Sequence, residues 1–167
     1  MDLSIASGSL LGHIDGFAEG LFYLKPESGG WSAAEIVEHL AILDTLIADV
    51  VYGPAVPAER VADAQIAEIR TVFENRTSRL HAPEAIAPKG QQVSKAMLTE
   101  QLRTARNRLF EATDATDLGL LCTSFTHRHF GQLTRLEWIY FAIFHGDRHL
   151  HQLLQLGSRT AQVSGTT

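Results

Sequence analysis

The chain predicts an all-α fold, a four-helix bundle with long connecting loops, on three observations. Apolar residues recur at helical rather than strand spacing through four stretches. Two of those stretches open with the same start signal, and glycine and proline clusters punctuate the intervals. Amphipathic helices that each bury one stripe settle against one another around a shared core.

Leu3, Leu10, Ile14, Phe17, Leu21 and Leu24 describe a first amphipathic helix that ends before Pro26, after which Gly29-Gly30 breaks the chain. The second helix opens at Ser32 with a capping box, in which Ser32 accepts from the backbone three residues on and Glu35 reaches back to the Ser32 amide. Trp31 and Ile36 occupy the flanking staple positions. Ile36, Leu40, Leu43, Ile47 and Val50 form its buried stripe, and Gly53-Pro54 and Pro57 stop it near Tyr52. From Arg60 to Leu80 only Ile66, Ile69 and Phe73 support a short, partly exposed helix. The stretch from His81 to Gly90, with Pro83 and Pro88, reads as a loop.

Leu98, Leu102, Ala105, Leu109 and Ala112 mark another long helix, followed by a polar turn from Thr113 to Asp117. Cys122 to Gln132 lacks helical period and reads as an extended loop against the bundle. Thr134 and Glu137 then repeat the capping box, with Leu133 and Trp138 at the staple positions, and open the last helix, Leu133 to Leu156. Residues 1–156 are expected to form one domain. The stretch 157–167, rich in Ser, Thr and Gly, is expected to be a flexible tail.

Composition narrows the function classes. At 167 residues one core is expected without disulfides. The 45% apolar content with short apolar runs argues against a membrane span. Fourteen basic against nineteen acidic residues give a net charge of −5, and no basic cluster interleaves with aromatics, so a nucleic-acid partner is not expected. The start Met1-Asp2-Leu3-Ser4 lacks the basic flank and apolar run of a secretory signal, and a lone Cys122 suits a reducing compartment; the expected location is cytoplasmic.

Eight histidines are the plentiful soft ligands. His145 and His149 lie four apart on the apolar stripe of the last helix, so both imidazoles project from one face and can reach one ion. His39 borders the buried stripe of the second helix and supplies a third candidate. Three neutral imidazoles suit a divalent metal with positions left open for water or substrate, and zinc and nickel both fit. For any single buried histidine, ordinary core packing against a carbonyl acceptor is the commoner arrangement; two on one stripe, each needing a partner, favour ligation more. His127 and His129 share a side of the extended loop and are candidates for the cavity or a surface turn. Asp147, Asp44 and Glu38 are candidates to orient an imidazole or to remain solvated. His151 should face away, and Cys122 reads as packing rather than a nucleophile.

The run Trp31-Ser32-Ala33-Ala34-Glu35-Ile36-Val37-Glu38-His39-Leu40 resembles the WSxxExxxHL opening of the second helix in the DinB/YfiT superfamily of metal-binding four-helix bundles. Phe144-His145-Gly146-Asp147-Arg148-His149-Leu150-His151-Gln152-Leu153 is similar to its HxxxHxxQL signature. Phe130-Gly131-Gln132-Leu133-Thr134-Arg135-Leu136-Glu137-Trp138 is similar to the FGxLTxxEW entry of its DinB-2 branch. The resemblance implies an up-up-down-down bundle that holds nickel or zinc through His39, His145 and His149. Characterised relatives include thiol-dependent transferases and isomerases alongside proposed metal-dependent hydrolases, so the resemblance does not fix a reaction; it implies a small-molecule substrate, with a low-molecular-weight thiol as one candidate. The chain departs at His149-Leu150-His151-Gln152, where many relatives carry His-Arg-Gly-Gln; the triad survives this, whereas substrate contacts near the helix end are put in question.

Three functions follow as expectations. The first is a metal-dependent transferase in which a metal-activated thiolate attacks a small electrophile. The second is a hydrolase that uses metal-activated water. The third, of another class, is a non-catalytic bundle, with a homodimer as one form, that binds metal or a small ligand between its helices.

Overall fold

Four long helices carry the fold: α1 (Leu3–Asp15), α3 (Ala33–Tyr52), α5 (Lys95–Ala115) and α6 (Arg135–Val163). They are joined by short α2 (Glu19–Phe22), α4 (Ile66–Glu74) and a 3-10 turn at Glu84–Ile86. A two-stranded antiparallel ribbon pairs β1 (Ala55–Val56) with β2 (Leu121–Cys122). The structure is a computed structural model and describes residues 2–77, 81–90 and 93–163, the last five by backbone alone. Among the described residues, no helix is long and apolar enough to cross a membrane.

Both capping boxes form. At α3 the Ser32 hydroxyl accepts from the Glu35 amide and the Ser32 amide donates to the Glu35 carboxylate at 2.9 Å. At α6 the Thr134 amide donates to Glu137 at 2.8 Å and the Glu137 amide to the Thr134 hydroxyl. The first helix is broken, however: α1 ends at Asp15 and a separate turn, α2, follows Ala18, whose backbone is extended. Gly16, with little helical preference, caps α1, and the freed carbonyls of Asp15 and Phe17 accept from the Lys95 ammonium at 2.9 and 2.6 Å. At the other end of the chain, α6 runs through Gly157 to Val163 instead of stopping at Leu156; the rest of the expected tail, 164–167, lies outside the described residues. Gly157 lies within the helix and against Phe17, where a side chain would have van der Waals contact.

Chain direction also departs from expectation. On α3 and α5, Asp44 meets Arg106 and Asp49 meets Arg108, so numbers rise together and these helices run parallel. On α3 and α6, His39 meets His145 while Gly53 meets Arg135, so those helices are antiparallel. Helix α1 runs with α6: Ile5 and Ser9 share a cavity with Ile143 and Leu150, and His13 approaches Gly157. The bundle is therefore up-down-down-up, not up-up-down-down. Packing follows the ring α1–α6–α3–α5, which leaves α5 diagonal to α6. A parallel α3/α5 pair requires the connection to travel back along α3, about 30 Å for 20 residues. About 14 Å of that length is spanned by the nine residues of α4, whose buried Ile69 and Phe73 pack on α6.

The core falls into two apolar clusters. One gathers Leu43, Ile47, Leu109 and Trp138 to Phe144; the other gathers Leu10, Ile14, Ile36, Leu40, Leu98, Leu102 and Leu153. Where one cluster gives way to the other along the helices lie the buried polar residues His39, Asp44, Arg106, His145, Arg148 and His149. Burial raises the Asp44 carboxyl, against the lowering by the charge and hydrogen bond of Arg106.

Glu137 ties the connections to α6. Its fully buried carboxylate accepts from Arg60 at 2.5 and 2.6 Å and from the amides of Gln65 and Thr134. Burial alone would raise this carboxyl, but the hydrogen bonds from Arg60, Thr134 and Gln65 and the charge of Arg60 outweigh it and hold it below its ordinary 4.5. Replacing Glu137 by Ala is expected to lower stability by about 2–3 kcal/mol in urea unfolding at pH 7. Because the folded value is depressed, the difference between wild type and variant should be full above pH 4.5 and shrink as pH falls through the folded value.

Candidate metal centre

Helix α3 delivers His39 and helix α6 delivers His145 and His149, one turn apart, to a common point between the two apolar clusters. All three side chains are buried, and one nitrogen of each lies within 4.8 Å of the others. His39 Nε2 is 3.3 Å from His145 Nε2, and His149 Nε2 is 3.2 Å from the same atom. Nitrogens bound at 2.0–2.1 Å to one zinc-like ion would be about 3.4 Å apart at a tetrahedral angle and about 3.0 Å at a right angle. The observed separations fall between these values.

The outward nitrogens explain why the inward ones converge. His39 Nδ1 lies 2.7 Å from the Ile86 carbonyl and His149 Nδ1 lies 2.7 Å from Gln152 Oε1. Both partners are acceptors, so each Nδ1 carries the proton and each Nε2 presents a lone pair. His145 Nδ1 is buried without a hydrogen-bond partner among the described residues, against the rings of Phe73 and Phe141. A single proton on His145 Nε2 can serve one of its two Nε2 contacts and leaves the other as facing lone pairs. A cation at that point resolves both contacts, and the donor set of three neutral imidazoles suits a borderline divalent metal.

The surroundings keep the imidazoles neutral. Burial lowers His39 against the Ile86 hydrogen bond, which raises it. Burial, reinforced by the neighbouring histidines, takes His145 well below its usual range, and burial takes His149 down to about 3. Trp31 covers the site, its ring 4.8 Å from His39 and stacked on His149 at 6.2 Å. Phe73 of α4 closes another side, with its ring 5.2 Å from His145.

Of the other candidates, none joins the cluster. His127 pairs its backbone with Gly131 and packs on Phe130, Trp138 and Phe141; Phe141 then stacks on His145, so one aromatic ring intervenes. His129 is exposed, 3.5 Å from Glu68. Asp147 points to the α1 side of α6 and pairs with Arg76 at 2.9 Å. Glu38 accepts from the Gly90 amide, and Asp44 pairs with Arg106. The Cys122 thiol is buried in β2 and pushed up to about 11, as suits packing rather than nucleophilic use.

Sequence reasoning missed Ile86 and Gln152 as the groups that orient the imidazoles, and Trp31 and Phe73 as the walls. Gln152, three residues past His149 on one helical face, was visible as a neighbour. A backbone carbonyl such as that of Ile86 carries no sequence mark.

Comparison with known proteins identifies the family and the fold. The family model of the DinB superfamily matches residues 3–153. The Bacillus subtilis (strain 168) protein YuaE is 26% identical over 147 residues, covering 86% of this chain and 87% of that protein. In fold, the chain is similar to the crystal structure of TT2238, a four-helix bundle protein, with a TM-score of 0.59 at 19% identity over 92% of this chain and 93% of that one.

The depressed imidazoles give the metal-free protein a pH dependence of known sign. Between the ordinary histidine value of 6.5 and the native values, the unfolded chain binds more protons than the folded one. Stability should thus be full above pH 6.5 and fall as pH drops, by up to about 1.4 kcal/mol per pH unit for each histidine in its window. Urea unfolding of metal-free protein from pH 7.5 to 5 measures this slope. Replacing His149 by Leu should flatten it, and an unchanged slope would show that the imidazole is not held neutral.

Proposed function

The chain belongs to the DinB superfamily, and from that membership and the convergent imidazoles we propose that it is a divalent-metal-dependent transferase acting with a low-molecular-weight thiol. His39, His145 and His149 are the proposed ligands, and nickel or zinc the proposed ion. The observation that carries the reading is the pair of outward hydrogen bonds, His39 to Ile86 and His149 to Gln152, which turn both Nε2 lone pairs on a third imidazole.

When bound, the ion supplies Lewis acidity, which lowers the pKa of a thiol or a water brought to it. The chain's own residues do the rest. Ile86 and Gln152 fix the ring orientations, while Trp31, Phe73 and Phe141 limit water around the imidazoles and so strengthen the electrostatics there.

A thiol brings its own nucleophile and, once acidified, needs no further base. Hydrolysis gains from a carboxylate that accepts the proton of water. Among the described residues the ligand group is histidine alone, and the nearby carboxylates are engaged elsewhere, Glu38 by Gly90 and Asp44 by Arg106. This favours the transferase over a hydrolase at the same site. A reducing, cytoplasmic setting would suit both a thiol cosubstrate and the unpaired Cys122.

Elemental analysis and nickel or zinc reconstitution are expected to give one ion per chain. Replacing His39, His145 or His149 singly by Ala should abolish stoichiometric binding and preserve helical content by circular dichroism. Saturation at a hundredfold excess over Kd should stabilise the fold by about 2.7 kcal/mol, read as a rise in Tm. Metal-loaded protein should consume a small electrophile only when a low-molecular-weight thiol is present. Ester or amide hydrolysis indifferent to thiol would replace the transferase by a hydrolase, and metal binding with neither activity would leave a binding protein.

A further inference from the structure

We propose that Arg106, paired with Asp44 and seated on Gly146, is a positioning residue for the metal centre: it sets the separation of α3 and α6 and thereby the approach of His39 to His145. The inference rests on the metal reading above and adds to it residues that donate no ligand.

The geometry joins the same two helices that carry the imidazoles. Arg106 comes from α5, diagonal to α6, and its side chain crosses the centre of the bundle with 2% exposure. Its Nε donates to Asp44 Oδ2 of α3 at 2.6 Å, and its Nη2 donates to the Ala142 carbonyl of α6 at 3.1 Å. Asp44 follows His39 by five positions; Ala142 precedes His145 by three and Gly146 follows it directly. The guanidinium lies against Gly146 so closely that a Cβ there would collide with Nη2 and stand 3.2 Å from Cζ. The helix interior thus holds a glycine, a residue that disfavours helix relative to alanine, where the arginine needs room.

Stability does not account for this arrangement. Asp44 Oδ1 and Arg106 Nη1 are buried and lack hydrogen-bond partners among the described residues, so the pair is only half satisfied. Well-packed apolar residues in place of such a pair are commonly neutral or stabilising. Charge does not account for it either, since Asp44 and Arg106 together are neutral and the pair as a whole does not draw a cation. What remains is distance: a rigid planar group of fixed size holds two backbones apart, and both imidazole-bearing segments begin from those backbones.

The test compares wild type with two variants. Asp44→Leu/Arg106→Met removes the pair and keeps the net charge, and Gly146→Ala displaces the guanidinium with the pair intact. Zinc affinity is measured by competition with a chromophoric chelator, and cobalt(II) substitution gives a ligand-field absorption spectrum that reports the arrangement of the imidazoles. Thermal unfolding of the metal-free proteins is followed in parallel. Both variants are expected to bind zinc roughly 10- to 100-fold more weakly, with an altered cobalt spectrum, and the double variant should keep or exceed the wild-type Tm without metal. Wild-type affinity and spectrum in both variants would overturn the inference and leave the metal site standing. Should the double variant fail to fold, Gly146→Ala decides alone by the same two readouts. A wild-type protein that binds neither ion would instead remove the metal reading, and this inference with it.

Discussion

Buried polar groups must find partners, and in this bundle six of them lie where two apolar clusters meet, so the interior is organised by how their hydrogen-bonding capacity is met. Some of their atoms are served: His39 Nδ1 by Ile86, His149 Nδ1 by Gln152, one side of Arg106 by Asp44 and Ala142. Others are not: His145 Nδ1, Asp44 Oδ1 and Arg106 Nη1 lack partners among the described residues, and the inward imidazole Nε2 atoms face one another. An apolar core of this size would be stable without such a layer. Its arrangement makes physical sense when a charge belongs at its centre.

The direction of the helices decides what surrounds that centre. With α3 and α5 parallel, the chain must retrace the length of the bundle, and the retracing segment supplies parts of the site. Helix α4 lays Phe73 on His145, and the 3-10 turn at Glu84–Ile86 brings its carbonyl to His39. The connection before α6 is secured at Glu137, which gathers Arg60, Gln65 and Thr134 around one carboxylate. Connections that only linked helices would not need such anchoring.

Much of this was legible in the sequence, for local reasons. Capping boxes act within four residues, so Ser32 with Glu35 and Thr134 with Glu137 marked two helix starts correctly. The spacing of His145 and His149, and the place of His39 beside an apolar stripe, identified the residues that converge. Chain direction was not legible, because periodicity reports which face is buried and not which neighbour covers it. The break at Gly16 and the helix beyond Gly157 depend on tertiary partners, Lys95 in the first case and Phe17 in the second. The buried Arg106 left a trace that could have been read: Leu102, Arg106 and Leu109 share one stripe, as Leu40, Asp44 and Ile47 do on α3. Opposite charges on two apolar stripes point to a buried pair.

The electrostatics of the centre bear on its chemistry. Three neutral imidazoles leave a divalent cation's charge undiminished, whereas a ligand set with a carboxylate would offset part of it. The guanidinium groups of Arg106 and Arg148, both buried nearby, add positive potential and lower His145 further. With the proposed cation held by neutral ligands between aromatic walls, such a site would attract an anionic ligand more strongly than a neutral one, because low-dielectric surroundings magnify the difference. That preference lowers the pKa of any weak acid brought there, and a thiol, being much more acidic than water, gives up its proton with the smaller contribution from the protein. The absence of a carboxylate from the ligand group among the described residues is then consistent with a nucleophile that needs no base.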